Sequence, residues 1–194
     1  LAGLTVGEPS ERATDIGPLS TPGQRRDYEA GIAELEQACE RVWKGEQLDK
    51  GCFVAPQLFR SDKGADTAFV HEHEVFGPVA TVLTYSGEVA DLAEMVAAGG
   101  GGLVASLYSN DHRWAGHALT ELAPWHGRMV WGSRKVHDQS PGPGTVLPNF
   151  IHGGPGKAGG GEELGGKRGL AFYMQRTAIQ ADKGLFERAF GLRD

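Results

Sequence analysis

The stretch HEHEVFGPVATVLTY, residues 71–85, decides the fold of this chain. It joins a glutamate, an aromatic residue and a Gly-Pro turn to an apolar run, residues 79–85, that is typical of a strand. The proline fixes the backbone, so the chain turns just before that strand begins. We therefore expect Glu74 and Phe76 at a sheet edge, as one hydrogen-bond acceptor and one flat surface. Such a pair suits a ribose and an aromatic ring.

Downstream of this stretch, strand-like and helix-like segments alternate. The predicted strands are residues 79–85, 103–108 and 128–131, and the predicted helices between them are residues 88–98 and His112–Leu122. Helical crossovers of this length imply parallel strands, and parallel strands need both faces covered. The pattern predicts an α/β fold with three αβα layers around a mostly parallel sheet. The expected buried faces are Val89, Leu92, Ala93 and Val96 on the first helix, and Trp114, Ala118 and Leu122 on the second.

Upstream, Thr21, Pro22 and Gln24 predict the start of a helix. They supply a capping hydroxyl, a proline at the first helical position and a glutamine at the third. An apolar stripe follows at helical spacing: Tyr28, Ile32, Leu35, Ala38 and Val42. Cys39 lies beside it. Residues 51–59 read as a short strand that Pro56 interrupts, which predicts an edge or a bulge.

The rest of the chain is rich in glycine. The run Gly99 to Gly102 precedes a predicted strand, so we interpret it as turn geometry with no phosphate role. Residues 132–148, with PGPG at 141–144, predict a loop. A glycine-dense segment, residues 152–169, then leads to a helix around residues 170–174 and a final strand over residues 176–180.

Composition excludes several classes of function. The 194 residues suit one domain with a sizeable core. A formal charge of -6 without a basic patch argues against nucleic-acid and anionic-membrane partners. Cys39 and Cys52 are too few for a disulfide framework, and no apolar run suggests a membrane span, so a cytoplasmic location is expected. Because the chain opens at Leu1 without Met, we expect a piece of a larger protein.

Two site-like patterns are rejected on their chemistry. GEELGGK, residues 161–167, has P-loop spacing, but Arg168 stands where Ser or Thr should bind magnesium, and its two glutamates would repel phosphate. His71 and His73 form an H-x-H pair with no third ligand at a recognisable spacing, so no metal site is expected. The other central histidines, His112, His117, His126 and His137, are expected at the surface.

The two cysteines are expected to be inert thiols. Cys39 adjoins a helix stripe and Cys52 lies in a predicted strand, and burial suppresses thiolate formation. Neither is therefore a candidate nucleophile.

Three segments carry a family resemblance in the same order along the chain. EVFGPV at 74–79, VGEPSERATDIGPL at 6–19 and QRTAIQ at 175–180 resemble the aldehyde dehydrogenase superfamily. The resemblance implies that Glu74 holds the ribose hydroxyls of a nicotinamide cofactor and that Phe76 packs beside the nicotinamide. It implies a catalytic-domain fold over residues 1–174, and an oligomerisation strand and tail over residues 175–194 that form a homodimer.

The glycine-dense segment resembles the PFGGxKxSGxGxExG loop of the same superfamily. Ile151 and His152 would line the aldehyde channel, and Glu163 falls at the motif's glutamate. His152 replaces an aromatic residue, and Pro155-Gly156 replaces Tyr-Lys. With FYMQRTAIQ at 172–180, the segment is similar to the ring-cleavage semialdehyde dehydrogenases of CoA-linked benzoate and phenylacetate degradation. That branch implies a CoA-linked semialdehyde as substrate and NADP, or else NAD, as cofactor.

The resemblance also implies what this chain does not contain. In the superfamily the catalytic cysteine, the general-base glutamate and the coenzyme domain lie upstream of EVFGPV. No catalytic residue is therefore expected here, and the chain alone is expected to be inactive. The alternative is a free-standing binding or assembly module with the same fold and no catalysis of its own.

Overall fold

The computed structural model describes residues 1–136, 138–139, 144–145, 150–160 and 166–191. Helices and strands alternate along most of the chain, as the hydrophobic periodicity predicts. In chain order they are α1 (Pro22–Ala38), β1 (Glu40–Lys44), β2 (Gln57–Ser61), α2 (Ala68–Glu72), β3 (Val79–Leu83), α3 (Val89–Ala98), β4 (Gly102–Tyr108), α4 (His112–Leu122), β5 (His126–Gly132), α5 (Gly166–Phe172) and α6 (Lys183–Phe190). The predicted α/β class is confirmed.

The strands form two sheets among the described residues. One has the order β1-β2-β3, with β1 antiparallel and β3 parallel to β2, and the other pairs β4 with β5 in parallel. The parallel arrangement is as predicted. The strands are divided between two sheets, however, where the sequence pattern predicted one. Strand β3 lies beside β2, and β4 lies in the other sheet. A 3₁₀ turn (Gly64–Asp66) and α2 form the crossover that a β2-to-β3 parallel connection requires.

Helix α1 begins where its capping residues predict. The Thr21 hydroxyl accepts the Gln24 N–H at 3.2 Å, and Pro22 occupies the first turn. Tyr28, Ile32 and Leu35 are buried on one face of the helix.

The predicted continuation of the α1 stripe to Val42 is wrong. The helix ends at Ala38 because the extended Cys39 caps it, donating its N–H to the Leu35 carbonyl. Val42 instead lies in β1 and is 44% exposed. An apolar residue at the right spacing was not enough to extend a helix beyond its cap.

Of the two alternatives predicted for the strand at Pro56, an edge or a bulge, the edge is wrong. Strand β2 begins just after the proline, at Gln57, and is the central strand of its sheet. The Gln57 N–H donates to the Pro78 carbonyl at 3.0 Å. Pairing therefore starts at the first residue after the proline, because the proline itself has no N–H to donate. Cys52, predicted within the strand, lies in the turn that precedes it.

Two apolar clusters form the core. Core 1 joins α1 to β2 and comprises Tyr28, Ile32, Leu35, Val54 and Phe59. Core 2 joins α3, α4 and β4 and comprises Val89, Leu107, Ala115, Ala118 and Leu122. The predicted α3 residues Leu92, Ala93 and Val96 and the α4 residue Trp114 are partly buried against core 2. Met95, also buried on α3, was not predicted.

The C-terminal segment is less enclosed than the rest. The helix expected around residues 170–174 is α5, which begins earlier, at Gly166. Residues 176–180, predicted as a strand, have no strand partner within the described residues and are exposed. No helix in these ranges is long and apolar enough to span a membrane.

Candidate functional site

Glu74 and Phe76 lie in the short segment that leads from α2 into β3. Just before it, the His73 ring stacks on Phe69, with 4.7 Å between ring centroids, and the His73 N–H donates to the Phe69 carbonyl. Val75 is half-buried against core 1. Glu74 and Phe76 flank it and are both exposed, Phe76 to 69%. The segment thus anchors one side chain and presents its two neighbours to solvent.

The Gly-Pro turn holds this segment against α1. A Cβ on Gly77 would lie 2.4 Å from Cδ2 of the Tyr28 ring, so only glycine permits the contact. The buried Tyr28 hydroxyl donates to the Ala55 carbonyl at 2.8 Å, and its burial raises the pKa of Tyr28. The ring is therefore fixed, and it fixes the path of the chain just after Phe76.

Two cavities meet at Glu74. The first cavity, of about 630 Å³, lies between the end of α2, the glycine run before β4, and Lys157 with Ala158. The second cavity, of about 570 Å³, is lined by Phe76 with Leu19, Val75 and Pro78. Glu74 lines both cavities. Its carboxylate can therefore accept hydrogen bonds from a polar group in one cavity while the Phe76 ring contacts a flat group in the other.

The predicted channel residues Ile151 and His152 lie elsewhere. Both are exposed, and neither lines the two cavities that Glu74 lines. They precede Gly153, which is buried against β5. The structure thus brings Glu74 and Phe76 together and leaves Ile151 and His152 at the far end of the neighbouring loop.

That loop, residues 153–160, is called the glycine loop. It packs backbone on backbone across the first residues of β4 and β5. The contacts leave no room for side chains. A Cβ added to Gly127 would lie 1.6 Å from the Gly153 carbonyl oxygen, and one added to Gly101 would lie 2.1 Å from the Pro155 carbonyl oxygen. A Cβ added to Gly156 would lie 2.0 Å from the Gly100 carbonyl oxygen. The run before β4 does form a turn, with positive φ at Gly100 and Gly101. Its second purpose, close backbone packing, was not predicted.

Lys157 of the glycine loop is a site residue that the sequence reasoning missed. Its Nζ donates to the His71 carbonyl at 2.9 Å, and its own N–H donates to the Gly100 carbonyl at 3.0 Å. It lines the first cavity together with Glu74. One signal was available, because Lys157 is the only ionisable side chain between His152 and Glu162 in a run of glycines.

The H-x-H pair serves two separate local contacts. His71 places Nε2 at 3.2 Å from the Gly64 carbonyl, whereas His73 stacks on Phe69. Within the described part of the chain, no group of three or more His, Cys, Asp or Glu residues could hold a metal ion.

The other histidines follow the surface prediction in part. His112 and His117 on α4 are exposed, and His137 lies outside the described residues. His126 differs, since it is half-buried and its Nδ1 lies 3.0 Å from the Leu122 carbonyl. That bond ties the start of β5 to the end of α4.

The two cysteines are partly buried and free of disulfides. Cys39 packs against core 1, and desolvation raises the pKa of its thiol, which makes the nucleophilic thiolate scarcer. The Cys52 carbonyl accepts the Leu19 N–H at 3.0 Å. Glu163 lies outside the described residues, as do residues 161–165 of the segment 161–167 that was rejected as a P-loop.

Comparison with known proteins identifies the family and the fold. The family model described as "Aldehyde dehydrogenase family" matches residues 1–179. Protein MaoC of Klebsiella aerogenes is 38% identical over 168 residues, which cover 85% of this chain and 50% of that protein. The 3,4-dehydroadipyl-CoA semialdehyde dehydrogenase of Aromatoleum evansii is 38% identical over 163 residues, covering 80% of this chain and 32% of that enzyme. The chain thus spans between a third and half of the length of these relatives.

Solved structures show the same fold at lower identity. A betaine aldehyde dehydrogenase from Staphylococcus aureus, in complex with NAD⁺, matches 88% of this chain and 32% of its own, with a TM-score of 0.72 and 21% identity. An aldehyde dehydrogenase from Bacillus cereus matches 89% of this chain and 32% of its own, with a TM-score of 0.72 and 23% identity. Fold, motif order and the family match agree, and the chain belongs to the aldehyde dehydrogenase family.

Proposed function

We propose that this chain is the later part of the catalytic domain of an aldehyde dehydrogenase that oxidises a CoA-linked semialdehyde to the carboxylic acid. The observation that carries the proposal is the pairing of an exposed carboxylate, Glu74, with an exposed ring, Phe76, at the junction of two cavities. The chain covers 32% of one semialdehyde dehydrogenase relative, so the nucleophile and the coenzyme domain belong to the rest of the parent protein.

The residues present fit a nicotinamide cofactor, which would supply the hydride acceptor. Glu74 would accept hydrogen bonds from two ribose hydroxyls, because an ionised carboxylate has several acceptor positions and no donor. Phe76 would limit the tilt of the nicotinamide ring by contact with one of its faces. Val75 and Gly77 hold both side chains in place, through core 1 and through Tyr28. We propose NADP, on the similarity to the ring-cleavage branch, with NAD as the alternative.

Aldehyde specificity would come from the other side of the glycine loop. Ile151 and His152 are exposed just before it, where the sec-butyl group and the imidazole can contact a passing substrate chain. The 38% identity to a dehydrogenase of a CoA-linked semialdehyde supports that substrate class. In this arrangement the glycine loop separates the cofactor contacts from the substrate contacts.

Replacement of Glu74 by glutamine in the full-length protein tests the cofactor role. Hydrogen bonds to a charged group contribute about 1.5–3 kcal/mol, so we expect hydride transfer or cofactor affinity to fall roughly tenfold or more. The melting temperature should hardly change, since the side chain is exposed. Single-turnover formation of reduced cofactor, read at its absorbance band, is the measurement.

The matched control is Glu72→Gln, which removes the same charge two residues away. Glu72 is also exposed, but it lines only the first cavity and not the second. Unchanged kinetics in Glu74→Gln would remove the cofactor role. Equal losses in both variants would indicate a general charge effect and would count against it too.

We further propose that the enzyme is a homodimer that uses the C-terminal segment. Apolar side chains crowd its surface, each more than half exposed: Leu170, Phe172, Tyr173, Met174, Ile179, Leu185 and Phe190. A patch of this kind on a single chain indicates an interface. Residues 176–180, exposed and without a strand partner among the described residues, can add to a sheet edge of a second subunit.

Deletion of everything after Met174 from the full-length protein is expected to yield monomers. The mass should fall by half in light scattering, because residues 176–180 and α6 are removed together. Ile179→Asp is the milder variant, since it places a charge in the proposed strand pair and leaves the chain length unchanged. A dimer that persists in both variants would place the interface elsewhere.

A further inference from the structure

Lys157 is fixed at three points along its length. Its N–H donates to the Gly100 carbonyl, and its Nζ donates to the His71 carbonyl at 2.9 Å. Between these bonds its stem lies along Gly100, where a Cβ would meet the lysine Cε at 3.2 Å, Cδ at 3.5 Å and Cγ at 3.6 Å. The absence of a side chain at Gly100 therefore makes the track in which the lysine stem lies.

The acceptor of the Nζ bond is a carbonyl in the last turn of α2. The last carbonyls of a helix have no partner within the helix, and a positive charge near them is favourable. His71 is next to last in α2, and the chain leaves the helix at His73. Glu74 follows at once. Lys157 thus holds the end of the helix that leads into the segment carrying Glu74.

The same lysine belongs to the glycine loop, and the two residues just before that loop, Ile151 and His152, carry the proposed substrate contacts. The loop and the α2 end are far apart in the chain, since β3, α3, β4, α4 and β5 lie between them. Lys157 and Glu74 nonetheless line the same first cavity. The Nζ bond is a direct link between these two walls of the cavity.

We propose that Lys157 is a positioning residue, which sets the Glu74 carboxylate for the cofactor and couples that setting to the position of the glycine loop. This inference rests on the proposed function, because it needs Glu74 to contact the cofactor. Lys157 acts through the backbone at His71 and does not touch the reacting atoms. Movement of the loop on substrate binding would then be transmitted to the ribose contact.

A double-mutant cycle in the full-length protein tests the proposal. Lys157→Met removes the Nζ donor and keeps an unbranched stem in the Gly100 track. We expect hydride transfer to slow about tenfold, as displacements of catalytic geometry do. The decisive comparison is the double variant with Glu74→Gln, whose rate should match that of Glu74→Gln alone within about twofold, because a residue that acts through Glu74 has nothing left to position. Hydrogen exchange of the amides at residues 73–76 should quicken in Lys157→Met.

Each outcome decides between two failures. A normal rate in Glu74→Gln would count against the proposed function itself. If hydride transfer is slow in Glu74→Gln but normal in Lys157→Met, the positioning role alone is overturned. The same holds if the losses of the two single variants multiply in the double variant. Lys157→Gln replaces Lys157→Met if the latter does not fold. Lys50→Met, at a surface lysine paired with Glu8, is the control and should change neither rate nor exchange.

Discussion

Gly127→Ala is expected to dislodge the glycine loop and to lower the free energy of unfolding by about 3 kcal/mol or more, at or above the upper end of the usual cost of overpacking. The added Cβ would lie 1.6 Å from the Gly153 oxygen, 2.7 Å from its carbonyl carbon and 3.0 Å from the Gly154 Cα. All three are backbone atoms, so no side-chain rotation can relieve the contact. Either the loop leaves β5 or the strand shifts.

The measurement is a urea unfolding curve of the variant, with limited proteolysis to locate the change. Cleavage should become faster between residues 150 and 160, because the loop loses its docking surface. In the full-length protein, aldehyde turnover should fall as well, since His152 adjoins Gly153 and moves with it. A normal midpoint together with unchanged cleavage would show that the loop does not pack on β5.

Gly116→Ala is the matched control, at a glycine where an added Cβ meets nothing within 4 Å. Gly116 lies inside α4, where alanine is the better helix former by roughly 0.5–1 kcal/mol. The same substitution should therefore stabilise the chain at one glycine and disrupt it at the other. This contrast separates steric contact from the general effect of removing a glycine.

The elements that sequence predicted well are those with signals in adjacent residues. Helix α1 starts at its Thr21-Pro22 cap, and α4 matches the predicted bounds because Asp111 accepts N–H bonds from Arg113 and Trp114 at its start. Hydrogen bonds from these two amides lower the pKa of the Asp111 carboxyl. Caps are local, so they can be found from a single sequence.

The errors arose where the outcome depends on distant parts of the chain. The apolar spacing that continued α1 to Val42 could not show that the next residues pair with β2. Likewise, the alternation of strands and helices could not show that β3 pairs with β2 and not with β4. Hydrophobic period specifies the type of element, whereas pairing is decided by crossovers and packing.

The candidate site divides in the same way. Glu74 and Phe76 were found because they stand together in one short motif, and the structure places them together at the surface. Lys157 was missed because its partners, His71 and Gly100, are remote in sequence and meet it through backbone atoms. Backbone contacts leave little trace in residue identity beyond the need for glycine.

The stability of that site depends on core 1. Phe59 is fully buried at 0% exposure on β2, the central strand, and it packs with Tyr28, Ile32 and Leu35. Val75, the anchor between Glu74 and Phe76, packs on the same cluster. A cavity at Phe59 would therefore loosen both the sheet and the segment 73–76, which carries Glu74 and Phe76.

We expect Phe59→Ala to lower the free energy of unfolding by about 3–5 kcal/mol, since the loss of a buried aromatic ring leaves a cavity that the surroundings only partly fill. For a chain of this length the melting temperature should fall by roughly 10 °C, measured by calorimetry or circular dichroism. Leu58→Ala, at the adjacent and only half-buried position of β2, should cost clearly less. Because Val75 shares the cluster, hydrogen exchange at residues 73–76 should rise in Phe59→Ala below the melting temperature and stay normal in Leu58→Ala. Equal destabilisation by the two variants would mean that core 1 is not organised around Phe59. Normal exchange in Phe59→Ala would show that the stability of residues 73–76 does not depend on that of the sheet.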